Sequence, residues 1–558
     1  MKIDLIKNKN KDKILFLPLG GAGEIGMNFN MYCYQNEWLI VDCGVTFKDH
    51  QVMGADVFMP SIDIIIENKL KISGMLITHA HEDHIGAVHH LWPFIKCPIY
   101  LTPFSAYLLK QRLIDSGLID RVQLKIVQKE SKFNIGKFKL ELIDVSHSIL
   151  EPNSVLITMG KEKVFHTGDW KIDDNPAVGN KTNIGRLIEI GKEGVSTIVC
   201  DSTNANVEGC SGSEKSVENG IAKYIKNYKG RIFVTMFASN LERMLAIIRL
   251  ASIYKREVGL IGRSMWRMCD AAKNTGYLES TTKIYSEKLL RSISDEKFLS
   301  ICTGSQGEPL GALNRIVDDI HPHISFKNGD RIIFSSRKIP GNDVNIGSLI
   351  NKLIEKGVQI VLPKKNNIHV SGHPAIEELK LMYSWIKPKI AIPVHGEAIH
   401  IEAHANLAKS LGVKNILKVR NGSLVEISGN NVKIIDQIAS GKLAVNGGEL
   451  IPTDSKLFKE RKRMLFNGVV TINLLIGDTG DIIELPRIKF LAVCYDIKKE
   501  QLYEFSSFIN EQIRSFIPIK TNNENQLKDF IKKKAKRYLQ NNYEKNPSII
   551  LDIIYIAD

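Results

Sequence analysis

An α/β fold is predicted for this chain because short apolar strands alternate with amphipathic helical stretches along most of its 558 residues. That length predicts about three or four domains, and the 44% of hydrophobic residues is typical of a globular protein. Many strands end in a polar or Gly-rich loop, where α/β proteins collect functional side chains. The candidate strands are KILFLPLG, WLIVDCG, ISGMLIT, KFKLELIDVS, SVLITMG, STIVCDST, RIFVTM, RIIFSS, VQIVLP and PKIAIPVH.

Two changes of pattern predict domain boundaries, at NANVEGCSGS (204–213) and at NGGELIPTD (446–454). Residues 214–365 between them form strand–helix repeats of their own. Beyond the second boundary, ERKRMLFNGVVTINLLIGDTGDIIELPRIKFLAV is interpreted as paired strands, followed by two helices and a final strand, SIILDIIYIAD. This order predicts a small α+β tail domain.

Charge and composition limit the partners and the compartment. The net charge of +14 favours a polyanion, nucleic acid first, although a lysine-rich composition alone gives the same charge. In the tail, KDFIKKKAKRYLQ is either a non-specific RNA contact or a solvated helix face. The eight cysteines are dispersed without a CxxC pair, and we find neither a signal peptide nor an apolar run long enough to span a membrane. We therefore expect a cytoplasmic protein that does not engage membranes.

The glycine motif Gly21-Ala-Gly23-Glu-Ile-Gly26 matches the GxGxxG pattern of dinucleotide-binding proteins. That interpretation requires a helix to begin at the glycines. The following residues, MNFNMYCYQNEWLIVDCG, alternate like strands instead. We therefore predict a turn between strands and no dinucleotide site.

The stretch LITHAHEDHIGAVHH (76–90) is the densest group of metal-ligand side chains in the chain. It follows the strand ISGMLIT, so alternate residues leaving the strand turn His79 and His81 towards one point. Asp83 and His84, at the start of the next helix, face a second point nearby. Imidazole and carboxylate ligands suit zinc or manganese. Glu82, His89 and His90 are set aside, the two histidines as surface residues or residues behind the ligands.

Three further candidate ligands follow strands elsewhere in the chain: His147 in IDVSHSILEP, Asp169 in VFHTGDWK and His395 in IAIPVHGE. A carboxylate such as Asp169 can bridge two metals, which a neutral imidazole cannot. Each residue alone is equally typical of a hydrogen-bonded polar group in a core. Their shared position at strand ends favours a two-metal hydrolytic site.

In combination, HAHEDH, the later lone His, TGD and the late His resemble the metallo-β-lactamase fold, and the long gap between Asp169 and His395 resembles the insertion of the β-CASP nucleases. Within that group the chain resembles the bacterial ribonuclease J family in PLGGAGEIGMN, HTGDWK, DSTNA, FASN, TGSQGEPLGAL, FSSRKIPGN, HVSGH and PVHGE. One departure is Leu150, where the family often has proline after HSI. An acidic match for the calcium of some relatives is missing near 446–448, so no calcium is predicted.

The resemblance implies an αββα sandwich with an inserted α/β β-CASP domain and a small α+β C-terminal domain. The sandwich would occupy 1–205 and 369–448, the insertion 206–368, and the linker and C-terminal domain 449–558. The family also implies a homodimer or homotetramer, RNA-decay or ribosome-associated partners, and two divalent ions, zinc first with manganese or magnesium as alternatives. It assigns one ion to His79, His81 and His147 and the other to Asp83, His84 and His395, with Asp169 bridging.

The resemblance further implies a two-metal RNA phosphodiesterase that acts as 5′→3′ exonuclease and endonuclease in RNA maturation and decay, leaving 5′-phosphate and 3′-hydroxyl ends. Asp83, Asp201 and His373 are the expected catalytic residues. The loops FASN, TGSQGE and FSSRK either line an RNA groove or simply pack one domain on the other. Expected contacts to RNA, including a 5′-monophosphate, are Ser239, Asn240, His369, Val370, Ser371, Gly372 and His373.

Three other functions are alternatives to RNA hydrolysis, and one of them stays open. A small-molecule hydrolase of the same fold predicts a short chain without the insertion, and a non-catalytic scaffold predicts lost ligands. Neither prediction agrees with the sequence. A DNA-directed β-CASP nuclease stays open, because we identify no residue that reads a 2′-hydroxyl.

Overall fold

Two compact units make up the computed structural model, which describes residues 13–47, 52–339, 341–363, 366–477, 479–515 and 523–556. The first unit comprises the described residues of Met1–Thr46 and Met59–Gly441, and the second those of Phe47–Phe58 and Lys442–Asp558. Among these residues no helix combines the length and apolarity that crossing a membrane requires.

The N-terminal part of the chain contains fourteen strands and five helices in the described residues. The strands are β1 Ile14–Gly20, β2 Ala22–Gly23, β3 Phe29–Tyr34, β4 Glu37–Val41, β5 Thr46–Phe47, β6 Val57–Pro60, β7 Ile72–Leu76, β8 Ile99–Leu101, β9 Leu124–Ile126, β10 Lys132–Ile135, β11 Phe138–Asp144, β12 Asn153–Met159, β13 Glu162–His166 and β14 Thr197–Asp201. The helices are α1 Asp63–Glu67, α2 Glu82–Ile85, α3 Val88–Ile95, α4 Pro103–Asp115 and α5 Ile184–Glu193. No helix begins at the glycine motif at 21–26: β2 lies within it, and bends at 24–26 lead to β3, which confirms the predicted turn between strands.

An inserted block of alternating strands and helices follows. Its elements are α6 Glu214–Ile225, β15 Ile232–Thr235, α7 Leu241–Ile253, β16 Glu257–Ile261, α8 Arg263–Asn274, α9 Glu287–Leu290, β17 Phe298–Cys302, α10 Ala312–Val317, β18 Arg331–Phe334, α11 Asp343–Glu355 and β19 Gln359–Val361. The strands form a parallel sheet in the order β16-β17-β15-β18-β19. Its carboxyl-terminal edge carries the loops at 237–240, 303–308 and 335–338.

The chain then returns to complete the N-terminal part. The returning elements are α12 Ile376–Ile386, β20 Ile390–Val394, β21 Gly396–Glu397, α13 Ala398–Ser410, β22 Asn415–Ile416, β23 Ser423–Ser428 and β24 Asn431–Gln437. One sheet has the order β24-β23-β1-β3-β4-β7-β8-β9, and the other has the order β10-β11-β12-β13-β14-β20-β22. Each sheet therefore contains strands from both sides of the insertion.

The two large sheets share one apolar core, which identifies them as the layers of a sandwich. Phe16 and Leu39 from the first sheet pack with Leu140, Ile157 and Ile392 from the second. Helices α5, α12 and α13 pack on the outer face of the second sheet. This arrangement confirms the predicted α/β sandwich with an inserted α/β block.

Buried charges join the insertion to the sandwich. Arg243, near the start of α7, is 1% exposed and donates to Glu214 through Nη2 (2.5 Å) and Nε (3.1 Å). The backbone N–H of Glu214 in turn donates to Asp173 of the N-terminal part at 2.9 Å. Asp173 also pairs with Lys171 at 3.1 Å, and neither side chain is exposed. Breaking one partner of such a network leaves an uncompensated buried charge, so loss of Arg243 or Lys171 would be strongly destabilising.

The second unit packs helices against one face of a sheet. Its elements are β25 Lys442–Asn446, β26 Glu449–Pro452, α14 Lys456–Asn467, β27 Val469–Ile476, β28 Arg487–Leu491, α15 Lys499–Arg514, α16 Glu524–Tyr543 and β29 Ser548–Tyr555. Alternate residues of β27 are buried against α15 and α16. The predicted α+β tail is therefore present, and the lysine-rich stretch lies on α16, which buries Leu527, Ile531, Ala535 and Leu539.

One interpretation of the tail is wrong. The sequence pattern predicts ERKRMLFN at the beginning of the paired strands, but Lys456–Asn467 is a helix. Lys, Arg, Glu, Met and Leu are all good helix formers. The helix ends at Gly468, whose φ of 76° glycine adopts without strain, and strand pairing begins at Val469.

Glu242 makes the stability of the insertion depend on pH. Burial, followed by the charge of Glu214, raises the pKa of this carboxyl to about 7. The unfolded chain releases the same proton near pH 4.5, so stability is greatest below that pH and falls as pH rises to about 7. The loss is on the order of 3 kcal/mol.

We expect Glu242→Gln to remove this dependence, because glutamine keeps an acceptor for the backbone N–H of Ala177 and carries no proton to lose. Denaturant unfolding at pH 5 and pH 8 measures it. The gain in unfolding free energy should be larger at pH 8, whereas the exposed Glu279→Gln should give equal values. A gain from Glu242→Gln that is the same at both pH values would contradict the assignment.

Candidate metal centre

The loop after β7 and the short helix α2 bring four predicted ligands together. His79 is fully buried, and His84 is 2% exposed. His147 comes from the loop after β11, and Asp169 from the loop after β13. His395 directly follows β20 in the left-handed region, with φ of 52°. All seven residues predicted as metal ligands therefore lie at one edge of the sandwich, and the structure brings all of them together.

The first ligand group consists of His79, His81, His147 and Asp169, whose nearest ligand atoms all lie within 4.8 Å of one another. His81 Nδ1 is 3.1 Å from His79 Nε2 and 3.0 Å from His147 Nε2. His79 Nδ1 lies 3.0 Å from Thr78 Oγ1, and His147 Nδ1 lies 2.5 Å from the carbonyl oxygen of Gly372. Donation to these oxygens assigns the proton to Nδ1 and leaves the Nε2 lone pairs directed inward.

The second group consists of Asp83, His84, Asp169 and His395, again within 4.8 Å. His395 Nε2 lies 3.2 Å from Asp83 Oδ2 and 3.4 Å from Asp169 Oδ1. His84 Nε2 lies 3.2 Å from Asp169 Oδ2. Asp169 is the single residue that belongs to both groups, and its carboxylate is 2% exposed.

The electrostatics of the two groups differ. Burial lowers the pKa of His79 and His147 well below the usual value and that of His81 to about 4, so these imidazoles are neutral at pH 7. Burial also opposes the charged form of His395, but Asp169 and Asp83 outweigh it and raise that pKa to about 9. The carboxylates therefore attract positive charge to the second group.

The residues fit divalent cations. Among the described residues, Asp169 Oδ1 is buried without a hydrogen-bond partner, although buried polar atoms normally have one. Neutral imidazole nitrogens and carboxylate oxygens are the ligands that zinc and manganese prefer. Two cations shared by Asp169 would satisfy both the lone pairs of the first group and the negative charge of the second.

Sequence reasoning missed the residues behind the ligands. Asp42 accepts from His84 Nδ1 at 2.8 Å and from Thr78 through its backbone N–H (2.8 Å) and hydroxyl (2.9 Å). Thr203 Oγ1 contacts His395 Nδ1 at 3.1 Å and donates to Asp201 at 2.7 Å. Such partners fix the orientation of a ligating imidazole. The aspartate that directly follows the strand in WLIVDCG was the available signal for Asp42.

His373 and Asp201 form a pair beside the ligands. His373 Nδ1 lies 2.8 Å from Asp201 Oδ2 and 3.8 Å from Asp169 Oδ2, and its side chain is 22% exposed. Burial opposes the charged imidazole, but Asp201 and Asp169 raise the pKa of His373 above its usual value. The pair can therefore hold a proton at the mouth of the centre.

The loop at 369–373 has two different ends. Gly372 lies against His147 so closely that a Cβ atom would be 2.9 Å from its ring, and only glycine allows this approach. At the other end, Arg243 donates to His369 Nδ1 (2.8 Å) and to the carbonyl oxygen of Val370 (3.3 Å). The structure thus places Ser371, Gly372 and His373 at the ligands, and joins His369 and Val370 to the insertion.

The remaining predicted residues lie on the insertion or behind the ligands. Asn240 caps α7 by accepting from the backbone N–H of Arg243 at 3.0 Å, and its amide nitrogen donates to Glu214 at 3.4 Å. Ser239 is half-buried beside it. Glu82 pairs with Arg112, and the ring centroids of His89 and His90 lie 3.9 Å apart with the rings tilted by 37°. None of these five residues belongs to a ligand group found among the described residues.

Models of four domain families match consecutive parts of the chain. They are described as beta-lactamase superfamily domain (residues 37–183), ribonuclease J, beta-CASP domain (229–353), Zn-dependent metallo-hydrolase RNA specificity domain (358–418), and ribonuclease J C-terminal domain (456–556). Together with the ligand geometry, they define a metal-dependent hydrolase of the metallo-β-lactamase fold with a β-CASP insertion.

Curated relatives narrow this class. Ribonuclease J of Sinorhizobium meliloti is 39% identical over 86% of this chain and 85% of its own length. Ribonuclease J of Synechocystis is 34% identical over 92% of this chain and 81% of its own length. Ribonuclease J of Helicobacter pylori is 33% identical over 97% of this chain and 79% of its own length. The chain belongs to the ribonuclease J family. A solved structure of an Enterococcus faecalis protein of unknown function covers 74% of this chain and 100% of its own, with a TM-score of 0.53 and 14% identity, and shows the fold alone.

We expect Asp42→Asn to weaken metal binding at the second group, because His84 loses the carboxylate that orients it. Loss of such a partner typically lowers metal affinity about 10–100-fold. Metal content after equilibration with a graded chelator measures the change, and the exposed Asp115→Asn is the matched control. Retention of both cations by Asp42→Asn at the chelator strength that wild type withstands would show that Asp42 does not support the site.

Proposed function

We propose that this protein hydrolyses RNA phosphodiester bonds at the centre formed by the two ligand groups. The observation that carries the proposal is the pair of ligand groups sharing Asp169, with all seven ligands present. Family membership supports RNA as the substrate, because the curated relatives are named ribonuclease J and one matched domain is described as an RNA specificity domain. The net charge of +14 agrees with a polyanionic substrate.

The proposed division of labour follows the geometry. When bound, two divalent cations would lower the pKa of a water molecule and neutralise charge on the phosphodiester. His79, His81, His147, Asp83, His84, His395 and Asp169 are the proposed ligands, and zinc is the proposed ion, with manganese or magnesium as alternatives. His373 would hold a proton at Nε2 for the leaving 3′-oxygen, and Asp201 would orient it through Nδ1.

Finer features of the activity are part of the proposal. We propose both 5′→3′ exonucleolytic and endonucleolytic cleavage in RNA maturation and decay, leaving 5′-phosphate and 3′-hydroxyl ends. Ser371, Gly372 and His373, which lie at the ligands, support a phosphate contact there. Ser239, Asn240, His369 and Val370 are weaker candidates for a 5′-monophosphate pocket, because the side chain of Asn240 and the Nδ1 of His369 already have partners.

The surroundings of the protein are proposed on the same basis. We propose the boundaries 1–205, 206–368, 369–448 and 449–558 for the two sandwich parts, the insertion and the C-terminal region, cytoplasmic localisation, a homodimer or homotetramer, and RNA-decay or ribosome-associated partners. A DNA-directed nuclease is the second candidate, because a two-metal centre could promote hydrolysis of the phosphodiester bonds of DNA as well as those of RNA.

We expect the zinc- or manganese-loaded protein to cleave single-stranded RNA at least tenfold faster than DNA of the same sequence, and 5′-monophosphorylated RNA faster than 5′-hydroxyl RNA. Gel analysis of end-labelled oligomers measures the rates and the product ends. His84→Ala should abolish cleavage, while His90→Ala, outside both groups, should retain it. Faster cleavage of DNA would establish the second candidate instead.

We expect Asp201→Asn and His373→Gln each to lower kcat by about 100-fold or more, the usual contribution of a general acid. Because the two residues act as one unit, the double variant should be scarcely slower than the slower single variant. Single-turnover rates with equal metal content in all three variants measure the coupling. Multiplicative losses would show that the two side chains act independently.

A further inference from the structure

Arg337 is an exposed cation that Asn204 connects to the loop at 369–373. It follows β18, and its Nη1 donates to Asn204 Oδ1 at 3.0 Å. Its backbone carbonyl oxygen accepts from Gln306 Nε2 at 2.9 Å, so both the backbone and one side of the guanidinium are fixed. Within the described part of the chain, the bond to Asn204 is the one hydrogen bond of the Arg337 side chain, and no ion pair is found for this side chain. Its remaining N–H donors therefore face solvent.

Asn204 links Arg337 to the proposed catalytic residues. Its side chain is buried, and its Nδ2 donates to Ser371 Oγ at 2.8 Å and to the carbonyl oxygen of His373 at 3.1 Å. One amide thus holds the guanidinium with its oxygen and the His373 loop with its nitrogen. Because the amide is neutral, the positive charge of Arg337 is not cancelled, as it would be by a carboxylate.

The charge of Arg337 reaches this loop. Burial lowers the pKa of His369 to about 2, and the positive charges of Arg243 and Arg337 act in the same direction. Arg243 is buried and paired with Glu214, whereas Arg337 is exposed. Of these two cations, Arg337 is therefore the one available to a ligand from solvent.

We propose that Arg337 binds a non-scissile phosphate of the RNA strand, and that Asn204 is the positioning residue that sets the distance between this phosphate and His373. A guanidinium with donors in a fixed plane binds a tetrahedral phosphate through two parallel hydrogen bonds. The scissile phosphate belongs at the ligand groups, so the phosphate at Arg337 is a neighbouring one. The proposal rests on the proposed function, since it names a contact to the same substrate.

The test pairs protein variants with substrates that lack one charge. The substrates are a series of single-stranded RNA oligomers with a 5′-monophosphate. Each oligomer carries one uncharged methylphosphonate, placed at a different linkage near the cut site. Metal-loaded wild type should lose about tenfold in kcat/KM at one non-scissile linkage, through KM. Arg337→Gln should lose about tenfold in kcat/KM with the unmodified RNA. The methylphosphonate at that linkage should then lower the kcat/KM of this variant by less than about twofold further.

Three further variants complete the test. Arg337→Lys should recover part of KM, because the charge returns without the planar donors. Lys229→Gln removes an exposed charge at the opposite edge of the inserted sheet and should keep the full sensitivity of wild type to the methylphosphonate. Asn204→Ala should both blunt this sensitivity and lower kcat, because guanidinium and His373 lose their common support.

The outcomes separate the inference from the proposed function. If wild type cleaves RNA and Arg337→Gln retains the wild-type loss at every methylphosphonate linkage, Arg337 contacts no phosphate and the inference is overturned. Equal effects of Arg337→Gln and Lys229→Gln on KM would also overturn it, because the charge would act non-specifically. A wild type that cleaves no RNA would refute the proposed function instead.

Discussion

The buried carboxylate of Asp169 is the interaction on which the site depends. It is 2% exposed and lies within 4 Å of nitrogen atoms of His79, His84, His147, His373 and His395. A buried carboxylate without positive partners would be unfavourable by several kcal/mol, so the surrounding side chains, and the cations that they would hold, matter for the fold as well as for chemistry. The buried Asp169 carboxylate is stabilised by positive charge, and this same property makes it a metal ligand.

The insertion contributes to the centre through hydrogen bonds rather than through ligands. Arg243 holds the carbonyl oxygen of Val370, and Asn204 holds the carbonyl oxygen of His373. The loop at 369–373 is therefore hydrogen-bonded to the insertion through Val370 and to the sandwich through His373. Among the described residues the insertion supplies no candidate metal ligand, but it anchors the start of the loop that ends at the proposed proton donor, His373.

Local signals in the sequence were sufficient for the α/β class, the inserted strand–helix block and the ligand cluster, whereas the sandwich was implied by the resemblance to the metallo-β-lactamase fold. His79, His81, Asp83 and His84 lie within six residues, and strands with helix-period neighbours mark the α/β layers. Asp42 and Asn204 were not predicted to act at the site, because a single polar residue has no pattern and its importance comes from a partner distant in sequence. Helix α14 was mistaken for a strand because its charged residues show no clear apolar period.

His395 gives the centre a property that its chemistry alone does not suggest. Its Nε2 lies 3.2 Å from Asp83, which is 312 positions earlier in the chain, and its backbone is held in a left-handed conformation by Gly21, whose carbonyl oxygen accepts from its N–H. The ligand set is therefore complete only when the first strands and the strand that returns after the insertion have assembled. The number of cations bound per chain would therefore report, without any substrate, whether the strands on both sides of the insertion have assembled.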